Sequence, residues 1–250
     1  MESGKQTSNY RQRAYASYGK NFQDAVEDFD YKASMRWGVA RHYHLRGWLP
    51  ESKAARIVDL ACGGGKLLHF FIEQGYARVE GVDISPDQVA LSRQITPNVT
   101  HGNVIEFLEA NPSQFDLVTG FDIIEHFHKD EALRFLDASY AALTPGGRLI
   151  LQTPNAGVPW GVQPRYGDLT HEIGFSPNTL ERLLRMSGFS SVEARECAPP
   201  PYGLSLFSSI RFLLWQVMRL QLMVWNLIET GSIGGRVFTR VFMITGIKAP

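Results

Sequence analysis

Cysteine is scarce in this chain of 250 residues: only Cys62 and Cys197 occur, and they form no CxxC pair. That excludes a disulfide framework and argues against a structural zinc site. An excess of either charge is equally absent, with 25 Lys and Arg against 25 Asp and Glu and no long basic run. An extended nucleic-acid footprint is therefore not expected, and a small-molecule or glycan partner fits better. The N-terminal residues are polar and hold no apolar signal core, so the expected location is cytoplasmic. Long uncharged apolar runs are missing as well. The mostly apolar stretch 204–228 carries Arg211 and Arg219 near its middle, which a bilayer core penalises heavily, so it is not expected to span a membrane.

What the chain does have is a β-branched apolar run leading into glycines and then into helix formers, IVDLACGGGK from Ile57 to Lys66. It reads as strand, tight turn and helix. Gly63, Gly64 and Gly65 permit positive φ and let a ligand approach the backbone. The helix is expected over Leu67 to Gln74, with Gly75 ending it. A second apolar strand, Val79 to Val82, delivers Asp83 about twenty residues after the glycines, where an acid can accept hydrogen bonds from a ribose diol. Together these point to a nucleoside site. The GxGxxG spacing of dinucleotide-binding turns puts Leu68 where the third glycine or alanine belongs, so that reading is disfavoured.

IVDLACGGGK resembles the first motif of the class I S-adenosylmethionine-dependent methyltransferases, with Ala61 in place of the usual first glycine. The resemblance implies an α/β, Rossmann-like sheet of seven strands with an antiparallel last strand and helices on both faces. It also implies S-adenosylmethionine as cofactor, held around Asp59, Ala61, Cys62, Gly63, Gly65 and Asp83. Ile84 is then placed to pack on the adenine. After a helix opened by Ser85 and Pro86 and a third strand at 99–101, Gly102 and Asn103 stand where the family commonly carries an acid. Asn103 can still accept from the adenine amine through its carbonyl oxygen, with Val104 as backbone donor. Phe121 is expected to face the methionine part of the cofactor.

The fourth strand, 115–119, runs into GFDIIEHFH, which resembles the corresponding stretch of the ubiquinone-biosynthesis O-methyltransferases. On a helix, Asp122, Glu125 and His126 share one face, where oxygen and nitrogen ligands can hold magnesium or manganese. The plainer alternative is a helix cap at Asp122 and an ordinary Glu125–His126 pair. A helix from Lys129 to Leu143 and a fifth strand from Arg148 to Thr153 follow, separated by Pro145, Gly146 and Gly147. The loop 156–172 is the natural acceptor-recognition segment, and in it Asp168 is placed to orient His171 as a base. A further helix, 180–186, and a sixth strand, 190–197, complete the core.

One domain is expected, divided into a helical cover over 1–50, a cofactor-binding core over 51–197, an insertion over 198–235 and a last strand over 236–250. In the cover, Tyr18 and Arg41 are candidates to reach the cofactor carboxylate. Within the insertion, a helix over 204–228 sets Ser208, Arg211, Arg219, Asn226 and Glu229 on a narrow stripe opposite a broad apolar side. That side is expected to be buried by its own domain and, in addition, by a second copy, making a homodimer, or by lying peripherally on the inner face of a membrane. The expected reaction is O-methylation of a sugar or surface-glycan hydroxyl, since the insertion helix, the aromatic loop 156–172 and the closing strand resemble methyltransferases of bacterial surface-polysaccharide pathways. A phenolic or quinone-pathway acceptor is the alternative, with N-methylation behind it. A noncatalytic nucleoside-binding or assembly subunit is the alternative of another class. His126 or His171 is the candidate base.

Overall fold

The computed structural model describes residues 10–15 and 27–249. Two helices, α1 (Tyr10–Tyr15) and α2 (Tyr31–His44), precede the core. The Asp30 carboxylate caps α2, accepting from the Ala33 amide at 2.9 Å. The core then alternates β1 (Arg56–Leu60), α3 (Lys66–Glu73), β2 (Arg78–Asp83), α4 (Pro86–Ser92), β3 (Val99–His101), α5 (Val104–Ala110) and β4 (Phe115–Phe121). After a 3-10 turn at Ile124–His126 come α6 (Lys129–Ala142), β5 (Leu143–Pro154), α7 (Val162–Tyr166), α8 (Pro177–Met186) and β6 (Ser190–Glu196). The chain closes with α9 (Leu206–Thr230) and β7 (Val241–Ile247).

The seven strands lie in the order β3-β2-β1-β4-β5-β7-β6. All neighbours from β3 to β5 pair in parallel, and β7 is antiparallel to both β5 and β6. The expected Rossmann-like architecture is therefore present. Strand order reverses between β1 and β4, and a crevice at such a switch point receives ligands beyond the strand ends. Successive strand residues face opposite sides of the sheet. Val58, Leu60 and Val118 pack with Phe135 and Leu136 of α6 and Leu180 and Leu184 of α8. Ile57, Leu117 and Ile150 pack with Leu67, Leu68, Phe70 and Phe71 of α3.

Several boundaries differ from the sequence reading. The turn residues Pro145 to Gly147 lie inside β5 as an irregularity, because pairing to β4 shifts from Phe115–Leu143 to Leu117–Arg148 around them. The last strand begins at Val241, not Arg236. Arg236 has a φ of +58°, which breaks the extended run before it.

The insertion helix forms, two residues downstream of its expected span, from an N-cap at Ser205 to Gly231. The side it turns to its own domain carries part of the polar stripe, while apolar residues such as Leu213, Val217 and Leu220 stay exposed. Ser208 is buried and bonds the Pro200 carbonyl, while Arg219 pairs with Glu196 at 3.0 Å, so part of that stripe faces the domain. Glu196, at the end of β6, also accepts from Trp215 Nε1 and from the Phe238 amide. A largely buried carboxylate needs such partners, and meeting that need turns the apolar side outward. Among the described residues, no helix is long and apolar enough to cross a membrane.

Candidate active site

One cavity of about 1400 Å³ opens beyond the ends of β1, β2 and β4, lined at one end by the glycine turn and at the other by His126 and His171. The turn is shaped by three left-handed residues, Ala61 at φ +51°, Gly63 at +52° and Gly65 at +84°. For Ala61 that conformation costs roughly 1–2 kcal/mol, consistent with its standing where glycine is usual. Gly65 does not line the cavity. A Cβ there would come within 2.5 Å of Ile95 and 3.1 Å of Ser92, so the glycine lets the turn pack closely on the end of α4 and the residues after it.

Asp83 closes the turn from below. Its carboxylate oxygens accept from the amides of Gly63 and Ser85, each at 2.8 Å. Burial pushes its pKa up, while these two amides hold it down. Asp59, also buried, accepts from the Thr119 hydroxyl at 2.7 Å, and burial raises its pKa to about 7. Ala61, Cys62, Gly63, Ile84, Asn103, Val104 and Phe121 all line this end, whereas Gly102 does not. The Asn103 carbonyl oxygen is already used as the N-cap of α5, accepting from Ile105 and Glu106 amides at 2.8 and 3.3 Å.

At the other end the expected helical face over 122–126 is not formed. Asp122 takes φ +54° and the next residues make a 3-10 turn, and Asp122 is not in the close cluster of possible ligand atoms. The Asp122 carboxylate instead accepts from Gln152 Nε2 at 2.8 Å, and Gln152 in turn accepts from Arg41 at 2.6 Å. Arg41, which also lies over the Trp37 ring at 4.5 Å, is thereby held in this network and is absent from the cavity lining. The other candidate for the cofactor carboxylate, Tyr18, lies outside the described residues. His171 takes the place of Asp122: single ligand atoms of Glu125, His126 and His171 lie within 4.8 Å of one another.

Glu125 is buried, with one oxygen accepting from Thr153 at 2.9 Å and the other without a partner. Burial, with the Asp122 charge adding to it, holds its pKa well above the carboxylate range. His126 Nδ1 lies 2.9 Å from the hydroxyl of buried Thr170, and that hydroxyl donates to Asp168 at 2.6 Å. A hydroxyl has one proton, so its oxygen accepts from Nδ1–H. The neutral ring is then the tautomer whose Nε2 carries the lone pair. Burial, with His171 adding to it, lowers the His126 pKa to about 4, so the ring is neutral near pH 7. The expected pairing of Asp168 with His171 is corrected: through Thr170 the aspartate orients His126. Arg11 of α1 reaches over this end, pairing with Glu131 at 2.9 Å and donating to the His126 carbonyl.

A family model described as a methyltransferase domain matches residues 31–194. The chain belongs to that family. With its sheet and glycine turn, this methyltransferase domain is of the class I, S-adenosylmethionine-dependent type. It is 31% identical over 107 residues to the ubiquinone biosynthesis O-methyltransferase of Xylella fastidiosa (strain 9a5c), covering 40% of this chain and 42% of that protein. It is 27% identical over 155 residues to the small RNA 2'-O-methyltransferase of Mus musculus, covering 55% and 39%. The matched stretch thus spans about two-fifths of the length of these curated relatives. In fold it resembles a SAM-dependent methyltransferase from Archaeoglobus fulgidus, with a TM-score of 0.62 and 23% identity over 88% of this chain and all of that one.

Sequence reasoning missed Thr170, Arg11 and Gln152 in this methyltransferase domain. Thr170 stood between two singled-out residues, Asp168 and His171, so its position carried a signal. Arg11 and Gln152 act through contacts more than a hundred residues apart in sequence, which no local pattern reveals.

Proposed function

We propose that this protein transfers the methyl group of S-adenosylmethionine to a hydroxyl oxygen of a small-molecule acceptor. The observation that carries this reading is the single cavity joining the glycine turn to the Glu125, His126 and His171 cluster. When bound, the cofactor supplies a methyl group on a sulfonium that departs as a neutral thioether. Asp83 and the Gly63 turn receive the nucleoside, Phe121 borders the path between the two ends, and α1 with Arg11 covers the acceptor end. A neutral hydroxyl is a weak nucleophile, so losing its proton as the carbon–oxygen bond forms lowers the barrier. The His126 tautomer fixed by Thr170 and Asp168 presents Nε2 to take that proton, and the cavity brings oxygen and methyl carbon into line.

The two curated relatives above are both named as O-methyltransferases, which supports oxygen over nitrogen as the acceptor atom. The walls at the acceptor end, Ile123 and Phe127, suit a ring, while Arg11 and Glu131 are engaged with each other. A phenolic ring fits these apolar walls, and that favours a phenol over a glycan unit as the acceptor.

A second reading adds a divalent cation. The partnerless Glu125 oxygen and the partnerless, buried His171 Nδ1 are groups a cation would satisfy. Glu125, His126 and His171 would hold it, and it would act as a Lewis acid that lowers the pKa of the acceptor hydroxyl. Two imidazoles and one carboxylate suit manganese, iron or zinc better than magnesium. The His126 tautomer serves this reading too, since a metal-bound imidazole commonly donates its other N–H to a fixed acceptor.

Transfer of labelled methyl into a panel of phenols and sugars, with and without chelator, tests both readings. Turnover on phenols that His126→Ala abolishes is the expected result. Loss on chelation adds the cation. Turnover only on amines, or turnover indifferent to chelator, His126→Ala and His171→Ala alike, would overturn the hydroxyl assignment.

A further inference from the structure

We propose that α9 is one strand of a parallel two-stranded coiled coil formed with a second copy of this chain. The outward side of α9 carries Ile210, Leu213, Val217, Leu220, Val224 and Leu227, a spacing that alternates three and four. This is a heptad seam with Ile or Val at every a position and Leu at every d. That choice of residues favours two parallel strands over three or four. All six side chains are 45–63% exposed. They are exposed because the opposite stripe, Ser208, Trp215, Arg219 and Asn226, is the one that meets the domain through Pro200, Glu196 and Gly234.

The flanking e and g positions are Leu214, Gln216, Gln221, Met223, Ile228 and Thr230, none of them charged, so two identical helices meet without repulsion. The seam also has a recess. Leu220, Val224 and Leu227 border a groove of about 400 Å³ completed by Ile233 and Arg236, which gives the partner's side chains a seat.

Area decides how tight the pairing is. At roughly 60–120 Å² for a fully exposed aliphatic side chain, the seam with Leu206, Leu214 and Ile228 offers roughly 300–650 Å² per copy. Stable interfaces use about 600–1,000 Å² per partner, a range the seam reaches only at its upper limit, so the dimer is weak and dissociates on dilution. A lipid surface is the rival occupant of such a face. It calls for a cationic flank, yet α9 has no lysine and Arg219 is turned to Glu196, which leaves Arg211 as the exposed cation of the helix.

Sedimentation of the full chain at tens of micromolar should give twice 28.1 kDa, falling to the monomer on dilution. Val217→Asp combined with Leu220→Asp, both at exposed positions, should be monomeric and melt at the temperature of the diluted, monomeric parent. In parallel register each residue meets its own counterpart, so Leu213→Cys and Leu227→Cys should each self-link on oxidation, where the parent with its two native cysteines does not. A monomer at every concentration, or a dimer that survives the paired aspartates, would overturn the proposal. Linkage only when the two cysteine variants are mixed would overturn the parallel register. A monomer that floats with phosphatidylcholine and phosphatidylglycerol vesicles would make lipid the occupant instead.

Discussion

Thr170→Val removes one oxygen and keeps the shape of a side chain that is 1% exposed. The Asp168 carboxylate still accepts from the backbone amide of residue 170 at 2.8 Å, so the turn that carries the loop is retained. What is lost is the acceptor for His126 Nδ1–H. Leaving a buried donor unsatisfied costs about 1–3 kcal/mol, and the ring can avoid that cost only by moving its proton to Nε2 or by turning. Either response withdraws the lone pair from the acceptor. Turnover should therefore fall by about 5- to 150-fold, at about 1.4 kcal/mol per factor of ten, with cofactor affinity unchanged and Thr170→Ser restoring most of the loss. The assay is methyl transfer at saturating acceptor, with cofactor affinity measured by calorimetry on the same preparations. A Thr170→Val enzyme that turns over within twofold of the parent would refute the relay through Asp168.

Three further outcomes follow from the cofactor end. Asp83→Ala leaves the Gly63 and Ser85 amides without their acceptor, so cofactor affinity should drop by at least the factor expected from about 1–3 kcal/mol, and the melting temperature should fall with it; unchanged affinity by calorimetry would remove Asp83 from the site. Asp59→Asn preserves an acceptor for the Thr119 hydroxyl but cannot ionise. Because the Asp59 pKa is raised to about 7, the folded state holds its proton longer than the unfolded state, and the parent loses stability as pH rises from about 4 to about 7. The stability advantage of the variant should grow over that window toward roughly 4 kcal/mol as an upper bound, and a difference independent of pH in paired denaturant titrations would contradict the buried acid. Ala61→Gly relieves left-handed strain but loosens the unfolded chain, so stability should change by less than about 1 kcal/mol, with cofactor binding retained; lost binding would show that the Ala61 methyl contacts the ligand.

The cofactor end was legible because its signals are local. Ile57 to Asp83 holds strand, turn, helix and strand within a few residues of each other, and the positive φ at Gly63 and Gly65 follows directly from the glycines. The acceptor end was half legible. GFDIIEH marked a stretch that lines the cavity, but a helical spacing put Asp122 with Glu125 and His126, whereas the left-handed Asp122 and the 3-10 turn exchange it for His171. Nothing in periodicity announces a turn that tight. The insertion shows the same limit differently: length and helix type follow from composition, but which side faces the domain is decided by Glu196, a residue outside the helix.

Titration of S-adenosylmethionine into the parent and into Gly63→Val tests most directly the claim that the glycine turn and cavity form a cofactor site. A Cβ at Gly63 would meet only the Gln88 side chain at 3.5 Å, so the fold has room for it, but a β-branched residue at φ +52° is strained and projects into the cavity. Saturable one-to-one binding in the parent, lost in a Gly63→Val protein that still melts cooperatively, is the expected result. No binding by the parent, or equal binding by both proteins, would contradict the assignment of this cavity to S-adenosylmethionine.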